Sequence, residues 1–196
     1  QKKINFIEQL LLIILVYFLT SFFIALPFYF SNYQVTLLNS FFEATSGVTG
    51  TGFSIFENIK YLDPTLILWR SSSQWIGGLY FLIFLILIFS NKQFNFKMND
   101  LTYSGDNRTN SENNVKDSVF KIFILYSALS FMIFLLFNIS GVRLFNSLNI
   151  TMSLISSGGF IPTNSLDKII QSNPQKIILI FSFLISILNF FLVLNL

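Results

Sequence analysis

The sequence predicts an all-α integral membrane protein that contains two tandem copies of one helix–short helix–loop–helix unit. Of its 196 residues, 53% are hydrophobic and only 11% are charged. Four apolar runs are long enough to cross a bilayer, and a short, polar, glycine-rich segment lies between the members of each pair. A water-soluble domain of this size has no core large enough to bury so much apolar surface.

The composition argues against an enzyme and against a nucleic-acid partner. The chain contains no cysteine and no histidine, so the commonest catalytic bases, nucleophiles and transition-metal ligands are missing. The net charge is +3, but the basic residues are dispersed and form no basic face. We expect no catalytic residues and no cofactor.

The first unit is predicted over residues 1–90. Residues 6–30 form an apolar run that is long enough to span a hydrocarbon core of about 30 Å. Residues 36–46 predict a short helix of about 15 Å, half a membrane. The irregular segment 48–54 follows, and Pro64 then opens a second spanning helix that continues to residue 90.

Arg70 lies inside the second spanning helix and has two interpretations. A charged side chain at membrane depth is costly, which makes it a functional candidate in the pore or its support. Alternatively, its aliphatic stem extends along the helix so that the charge reaches the membrane interface beside Trp75. The sequence leaves both interpretations open.

A polar linker and a second unit complete the chain. Residues 91–117 lack clear periodicity and predict an exposed linker with at most partial helix. Within residues 118–196, the apolar run 119–139 predicts a spanning helix and residues 143–153 predict a short helix. The glycine–hydroxyl segment 155–160 and a final apolar run, 176–196, follow.

An offset of 107 residues superimposes the second unit on the first. The offset places identical residues on one another in the short helices and glycine-rich segments: Asn39 on Asn146, Ser40 on Ser147, Ser46 on Ser153, Gly52 on Gly159 and Phe53 on Phe160. One such segment could be an ordinary helix-breaking turn. Two at matching positions indicate an internal repeat.

The charges predict the orientation of the repeat. If the first helix runs from inside to outside, seven basic residues are cytoplasmic: Lys2, Lys3, Lys92, Lys97, Arg108, Lys116 and Lys121. Four lie on the far side: Lys60, Arg143, Lys168 and Lys176. This bias has the direction of the positive-inside rule and places the linker 91–117 in the cytoplasm.

The glycine-rich segments predict a cation filter. Irregular chain at membrane depth must be buried or line a water-filled path. The C-terminal end of each short helix carries partial negative charge, and the chain that follows can present carbonyls that replace water around a cation. The predicted ion-binding residues are Val48, Thr49, Gly50, Thr51, Gly52, Ile155, Ser156, Ser157, Gly158 and Gly159. No carboxylate lies in either segment, which favours a monovalent ion.

Three motifs resemble the TrkH/KtrB/HKT superfamily of potassium transporters, and most closely the TrkH family. They are FFEATSGVTGTGF, LILWRSSSQWIGGLYFLIF and ISSGGF, and the resemblance covers essentially the whole chain. It implies uptake of K⁺, in some members Na⁺, through four such units around one pore, of which this chain carries the first two. Gly52 and Gly159 match the filter glycines, whereas Gly50 stands where the TrkH pattern usually has Thr.

The resemblance also implies partners and a location. It predicts a homodimer in the bacterial inner membrane and a cytoplasmic nucleotide-binding regulator similar to TrkA. We expect an internal or truncated piece of such a transporter. Two alternatives stay open: a two-unit subunit that dimerises to close the pore, and a non-conducting membrane scaffold.

Overall fold

The computed structural model describes residues 6–89 and 108–194, and the side chains of residues 6–88 and 116–187. Within these ranges the regular structure is entirely helical, which confirms the predicted all-α class. The six α-helices are α1 (Phe6–Tyr29), α2 (Leu37–Val48), α3 (Pro64–Phe89), α4 (Arg108–Ile139), α5 (Leu144–Ile155) and α6 (Asn173–Leu194).

Three of these helices are long and apolar enough to cross a membrane, over Phe6–Tyr29, Pro64–Ile88 and Lys116–Ile139. The described part of α6 adds a shorter apolar stretch, Asn173–Ile187. Large apolar side chains such as Ile14, Phe18 and Phe23 are exposed along α1. Such surfaces suit contact with lipid, so the chain is a multi-pass membrane protein.

Helix α4 begins earlier than the apolar pattern predicts. The predicted spanning run starts at Val119, but the helix starts at Arg108 and includes residues 108–117 of the predicted linker. The reason is that an apolar run marks burial in lipid, whereas a helix ends where glycine, proline or a capping residue stops it. Neither glycine nor proline occurs between residues 108 and 139. Residues 91–107 of the predicted linker lie outside the described residues.

The short helices α2 and α5 contain twelve residues each. Helix α2 starts after Thr36, whose hydroxyl accepts a hydrogen bond from the Asn39 N–H. Helix α5 starts after Arg143, which makes no side-chain cap. Each helix extends two residues beyond its predicted end, and the extension brings both C-terminal ends into the glycine-rich segments.

Helix α3 joins the two units. Its N-terminal half packs with α1 and α2 in one apolar cluster that includes Ala25, Phe28 and Leu66. Its C-terminal half contributes Leu79 and Leu82 to a larger cluster with α4, α5 and the segment around Ile170. Two indole N–H groups add polar contacts: Trp69 donates to the Ile24 carbonyl and Trp75 to the Ser130 hydroxyl, each over 3.0 Å.

The segments before α3 and α6 meet at one end of the molecule. The Asn164 side chain donates to the Asn58 side chain over 3.0 Å and accepts from the Lys60 N–H over 3.3 Å. Lys60 and Lys168 line the same cleft. These two lysines therefore share one end of the protein, as the predicted topology requires.

Candidate cation-binding loops

Two loops, named here loop 1 (residues 49–54) and loop 2 (residues 156–160), leave α2 and α5 with the same hydrogen bonding. In loop 1, the Thr51 N–H donates to the Ser46 carbonyl over 3.0 Å. The equivalent bond after α5 runs from the Gly158 N–H to the Ser153 carbonyl over 2.8 Å. The two donors are 107 residues apart in the sequence, and so are the two acceptors. The repeat therefore includes the backbone hydrogen bonds at the ends of the short helices.

The backbone angles repeat in the same register. Gly50 has φ +67° and its counterpart Ser157 has φ +54°, while Gly52 and Gly159 have φ +79° and +83°. This left-handed region costs a residue with a side chain about 1–2 kcal/mol. Glycine occupies three of the four positions, and Ser157 adopts the strained angle because the fold of the repeat requires it.

The C-terminal ends of α2 and α5 converge. A Cβ atom added to Gly50 would lie 3.6 Å from the Ser156 carbonyl oxygen, and one added to Gly52 would lie 2.4 Å from the Gly158 carbonyl oxygen. Ser156 directly follows the last residue of α5, and Gly50 lies two residues beyond α2. Two partially negative helix ends therefore lie side by side, with the backbone of both loops between them.

The predicted ion-binding residues differ in their exposure to solvent. Val48, Ile155 and Gly158 are buried, and the first two are the last residues of α2 and α5. Gly50, Gly52 and Ser156 are partly buried. The exposed ones are Thr49, Thr51, Ser157 and Gly159.

The loop 1 hydroxyls form a chain with a defined direction. Thr49 Oγ1 donates to the Thr45 carbonyl over 2.7 Å and lies 2.7 Å from Thr51 Oγ1. Each hydroxyl has one proton, so Thr51 is the donor in the second contact. One proton is directed to the α2 backbone and the other to Thr49, which leaves oxygen lone pairs for a cation.

The loop 2 hydroxyls attach the loop to its neighbours. Ser156 Oγ donates to the Met152 carbonyl over 2.9 Å, the counterpart of the Thr49 bond to Thr45. Ser157 Oγ is hydrogen-bonded to Ser186 Oγ on α6. Ser157 therefore ties loop 2 to the last helix.

Arg70 is buried and paired, so the interpretation that it reaches the membrane interface is wrong. Its side chain is 1% exposed, and its Nε lies 2.7 Å from Oε1 of Glu43, which is fully buried on α2. An isolated buried charge costs several kcal/mol, and a carboxylate partner with good geometry offsets that penalty. The pair therefore keeps both charges inside the protein.

The Glu43–Arg70 pair contacts both loops. Glu43 Oε2 accepts from the Ile55 N–H over 2.8 Å, and the Ser54 hydroxyl lies 3.0 Å from Glu43 Oε1 and 2.9 Å from Arg70 Nη2. The Arg70 guanidinium carbon also lies 4.2 Å from the centre of the Phe160 ring. This cation–π contact connects the end of loop 1 to the end of loop 2.

Gln74 holds loop 2 directly. Its Nε2 donates to the Gly158 carbonyl over 2.6 Å, and its Oε1 accepts from the Phe160 N–H over 3.1 Å. The side chain is fully buried. The Gly158 carbonyl, predicted as an ion ligand, is thus already bound by an amide from α3.

The Gly77-Gly78 pair allows α3 to lie against both loops. A Cβ on Gly77 would lie 1.9 Å from the Val48 carbonyl oxygen at the end of α2. A Cβ on Gly78 would lie 2.7 Å from both Ser156 Cβ and the Tyr126 hydroxyl. Adjacent residues on α3 thus touch the ends of both short helices.

Comparisons with known proteins identify the relatives of this chain. No family model matches it. An uncharacterized cation transporter of Methanocaldococcus jannaschii is 29% identical over 167 residues, which are 80% of this chain and 34% of that protein. The Trk system potassium uptake protein TrkG of Escherichia coli is 24% identical over 78% of this chain and 32% of its own length. The chain is similar in sequence to Trk potassium uptake proteins.

A shorter match agrees with this relationship and confirms the resemblance to the TrkH family. The Trk system potassium uptake protein TrkI of Halomonas elongata is 38% identical over 66 residues, 34% of this chain and 13% of that protein. This chain spans about a third of the length of the cation transporter of Methanocaldococcus jannaschii and of TrkG. The relatives are named as transport proteins, in agreement with the expectation that the chain is not an enzyme.

Glu43 and Gln74 contact the backbone of the loop segments and were not predicted from the sequence. Glu43 carried a usable signal, because an acid inside an apolar short helix needs a partner and Arg70 is the basic residue inside the next helix. The sequence offered no such signal for Gln74, because a glutamine in a serine-rich stretch does not reveal which backbone groups it will contact.

Proposed function

We propose that this chain supplies two of the loops that line a membrane pathway for K⁺. The convergence of the C-terminal ends of α2 and α5 supports this proposal. Two helix ends, each equivalent to about half a negative charge, attract a cation to the space beside loops 1 and 2. The exposed hydroxyl of Thr51 and the backbone carbonyls of the loops supply neutral oxygen ligands.

A monovalent ion suits this site better than a divalent one. Neither loop contains an acid, and the buried carboxylate of Glu43 is bound by Arg70, Ser54 and the Ile55 N–H. Its charge is therefore neutralised behind the loops. The ligands that the loops themselves offer are neutral, and a dehydrated divalent ion needs charged ones.

Two loops form only part of a wall around an ion, so the pathway needs further surfaces. We propose that two more units of the same kind complete it, as the resemblance to the TrkH family implies. Association as a homodimer, a TrkA-like regulator on the cytoplasmic side and a bacterial inner membrane location belong to the same proposal. In the alternative arrangement, two copies of this chain provide the four loops.

Replacing Gly159 by Ser tests the filter. A side chain at Gly159 meets nothing within 4 Å, so it fits sterically, but φ +83° forces left-handed strain on it. We expect the variant to change the carbonyl positions of loop 2 and to lower the preference for K⁺ over Na⁺ about tenfold, or about 1.4 kcal/mol. The measurement is uptake of radioactive rubidium by potassium-uptake-deficient cells, with K⁺ or Na⁺ as competitor.

Gly141→Ser is the matched control. Gly141 also has a positive φ, +89°, and open space around its Cβ, but it lies between α4 and α5, away from both loops. We expect Gly141→Ser to keep the wild-type ion preference. A wild-type ion preference in Gly159→Ser would contradict the filter assignment. An absence of uptake by a wild-type protein that carries all four proposed units would favour a non-conducting scaffold. Gly52→Ser is expected to lower the preference further, because its Cβ would lie 2.4 Å from the Gly158 carbonyl oxygen.

A further inference from the structure

We infer that Gln74, together with the Glu43–Arg70 pair, positions the two loops relative to each other and thereby sets the ion preference. This inference rests on the proposed function of the loops. None of these side chains is inferred to touch the ion. They act through the backbone of residues that do.

Gln74 fixes the conformation of Gly159 from both sides. It bonds the carbonyl of Gly158 and the N–H of Phe160, the two backbone groups that flank Gly159. Gly159 is exposed and has φ +83°. A glycine populates many backbone conformations, so an exposed one needs outside contacts to hold a single conformation. The Gln74 amide, itself fully buried, supplies two of them.

Arg70 lies four residues before Gln74 on α3, so the two side chains share one face of the helix. From this face Arg70 contacts the Phe160 ring in loop 2 and the Ser54 hydroxyl in loop 1. Glu43 completes the connection through the Ile55 N–H, just beyond loop 1. One turn of α3 therefore contacts both loops, and a shift of either loop relative to the other breaks hydrogen bonds.

These three polar side chains have no counterpart in the second unit. The 107-residue offset places Ile150 on Glu43, Ile177 on Arg70 and Phe181 on Gln74. Apart from the contact of Ser157 with Ser186 on α6, loop 2 receives polar side-chain contacts from α3 of the first unit. These polar contacts therefore join the two units, and neither unit forms them by itself.

Gln74→Leu in the intact protein is the principal test. Leucine has a similar volume but leaves the Gly158 carbonyl and the Phe160 N–H without their partner. We expect the preference for K⁺ over Na⁺ in rubidium uptake to fall about tenfold. Uptake per folded protein is also measured without Na⁺, so that a general loss of uptake is distinguished from a change in the ratio. A merely structural role would lower rubidium uptake equally with K⁺ or with Na⁺ as the competitor. The ratio of the two would then stay unchanged.

Trp75→Phe is the control, since it removes a partly buried hydrogen bond at the next residue of the same helix, from Trp75 Nε1 to Ser130 Oγ on α4, that involves neither loop. We expect it to keep the wild-type ratio. If Gln74→Leu does not fold, Ser54→Ala decides, because Ser54 is exposed and its loss removes the hydroxyl that Arg70 and Glu43 share.

A lowered ratio in Gln74→Leu, or in Ser54→Ala if the first variant does not fold, supports the inference. A wild-type ratio in the deciding variant overturns it while leaving the proposed function intact. If the wild-type protein takes up no rubidium at all, the proposed function fails, and the inference fails with it.

Discussion

Replacing Arg70 by Met is expected to destabilise the folded protein by about 3–5 kcal/mol. The substitution leaves the Glu43 carboxylate fully buried without its cationic partner. It also removes the cation–π contact with Phe160 and a donor to Ser54. The measurement is thermal unfolding of the purified protein in detergent, together with the amount of monodisperse protein recovered.

The double variant Glu43→Gln/Arg70→Met separates the charge from the packing. The neutral glutamine amide that replaces the Glu43 carboxylate can still accept from the Ile55 N–H and can donate to the Ser54 hydroxyl, so no unpaired charge stays buried. Replacing both members of a buried ion pair is often close to neutral, so we expect the double variant to recover most of the lost stability. If the double variant is as unstable as Arg70→Met, the uncompensated charge is not the cause.

Replacing Gly77 by Ala is expected to prevent α3 from packing against the end of α2. The new Cβ would lie 1.9 Å from the Val48 carbonyl oxygen and 2.7 Å from the Val48 Cα. The obstacle is backbone, which cannot rotate away as a side chain does. Overpacking of a core costs about 1–3 kcal/mol and occasionally more, and we expect the upper end of that range here.

Gly141→Ala is the comparison for Gly77→Ala. Its Cβ meets nothing within 4 Å, so only left-handed strain of about 1–2 kcal/mol opposes it. In thermal unfolding we expect Gly77→Ala to lower the transition temperature more than Gly141→Ala. The reverse order would mean that α3 and α2 are not held together by this close approach.

Much of the architecture was predictable because apolar runs, glycines and an internal repeat are visible in the sequence. The order of long and short helices follows from these patterns. The 107-residue offset predicted which residues occupy equivalent positions, and Gly52 and Gly159 have nearly the same φ. The start of α4 at Arg108 was missed, since the apolar pattern indicates where lipid begins and not where the helix begins.

The contacts between the units were less predictable. Arg70 was recognised as costly, but its partner lies 27 residues away on another helix. Gln74 and Gly158 are separated by 84 residues, and nothing local to either indicates that they meet. Such contacts depend on how α3 is placed between the two short helices, which is decided by packing over the whole fold.

The most direct test of the proposed ion site is the stability of the purified intact protein in different salts. A ligand that binds only the folded state stabilises it by mass action, about 2.7 kcal/mol when its concentration is a hundred times the dissociation constant. At constant ionic strength, we expect KCl to raise the unfolding temperature saturably above its values in NaCl and choline chloride. Gly159→Ser should lose this difference and Gly141→Ser should keep it. Identical unfolding temperatures of the wild-type protein in all three salts would contradict a K⁺ site at these loops.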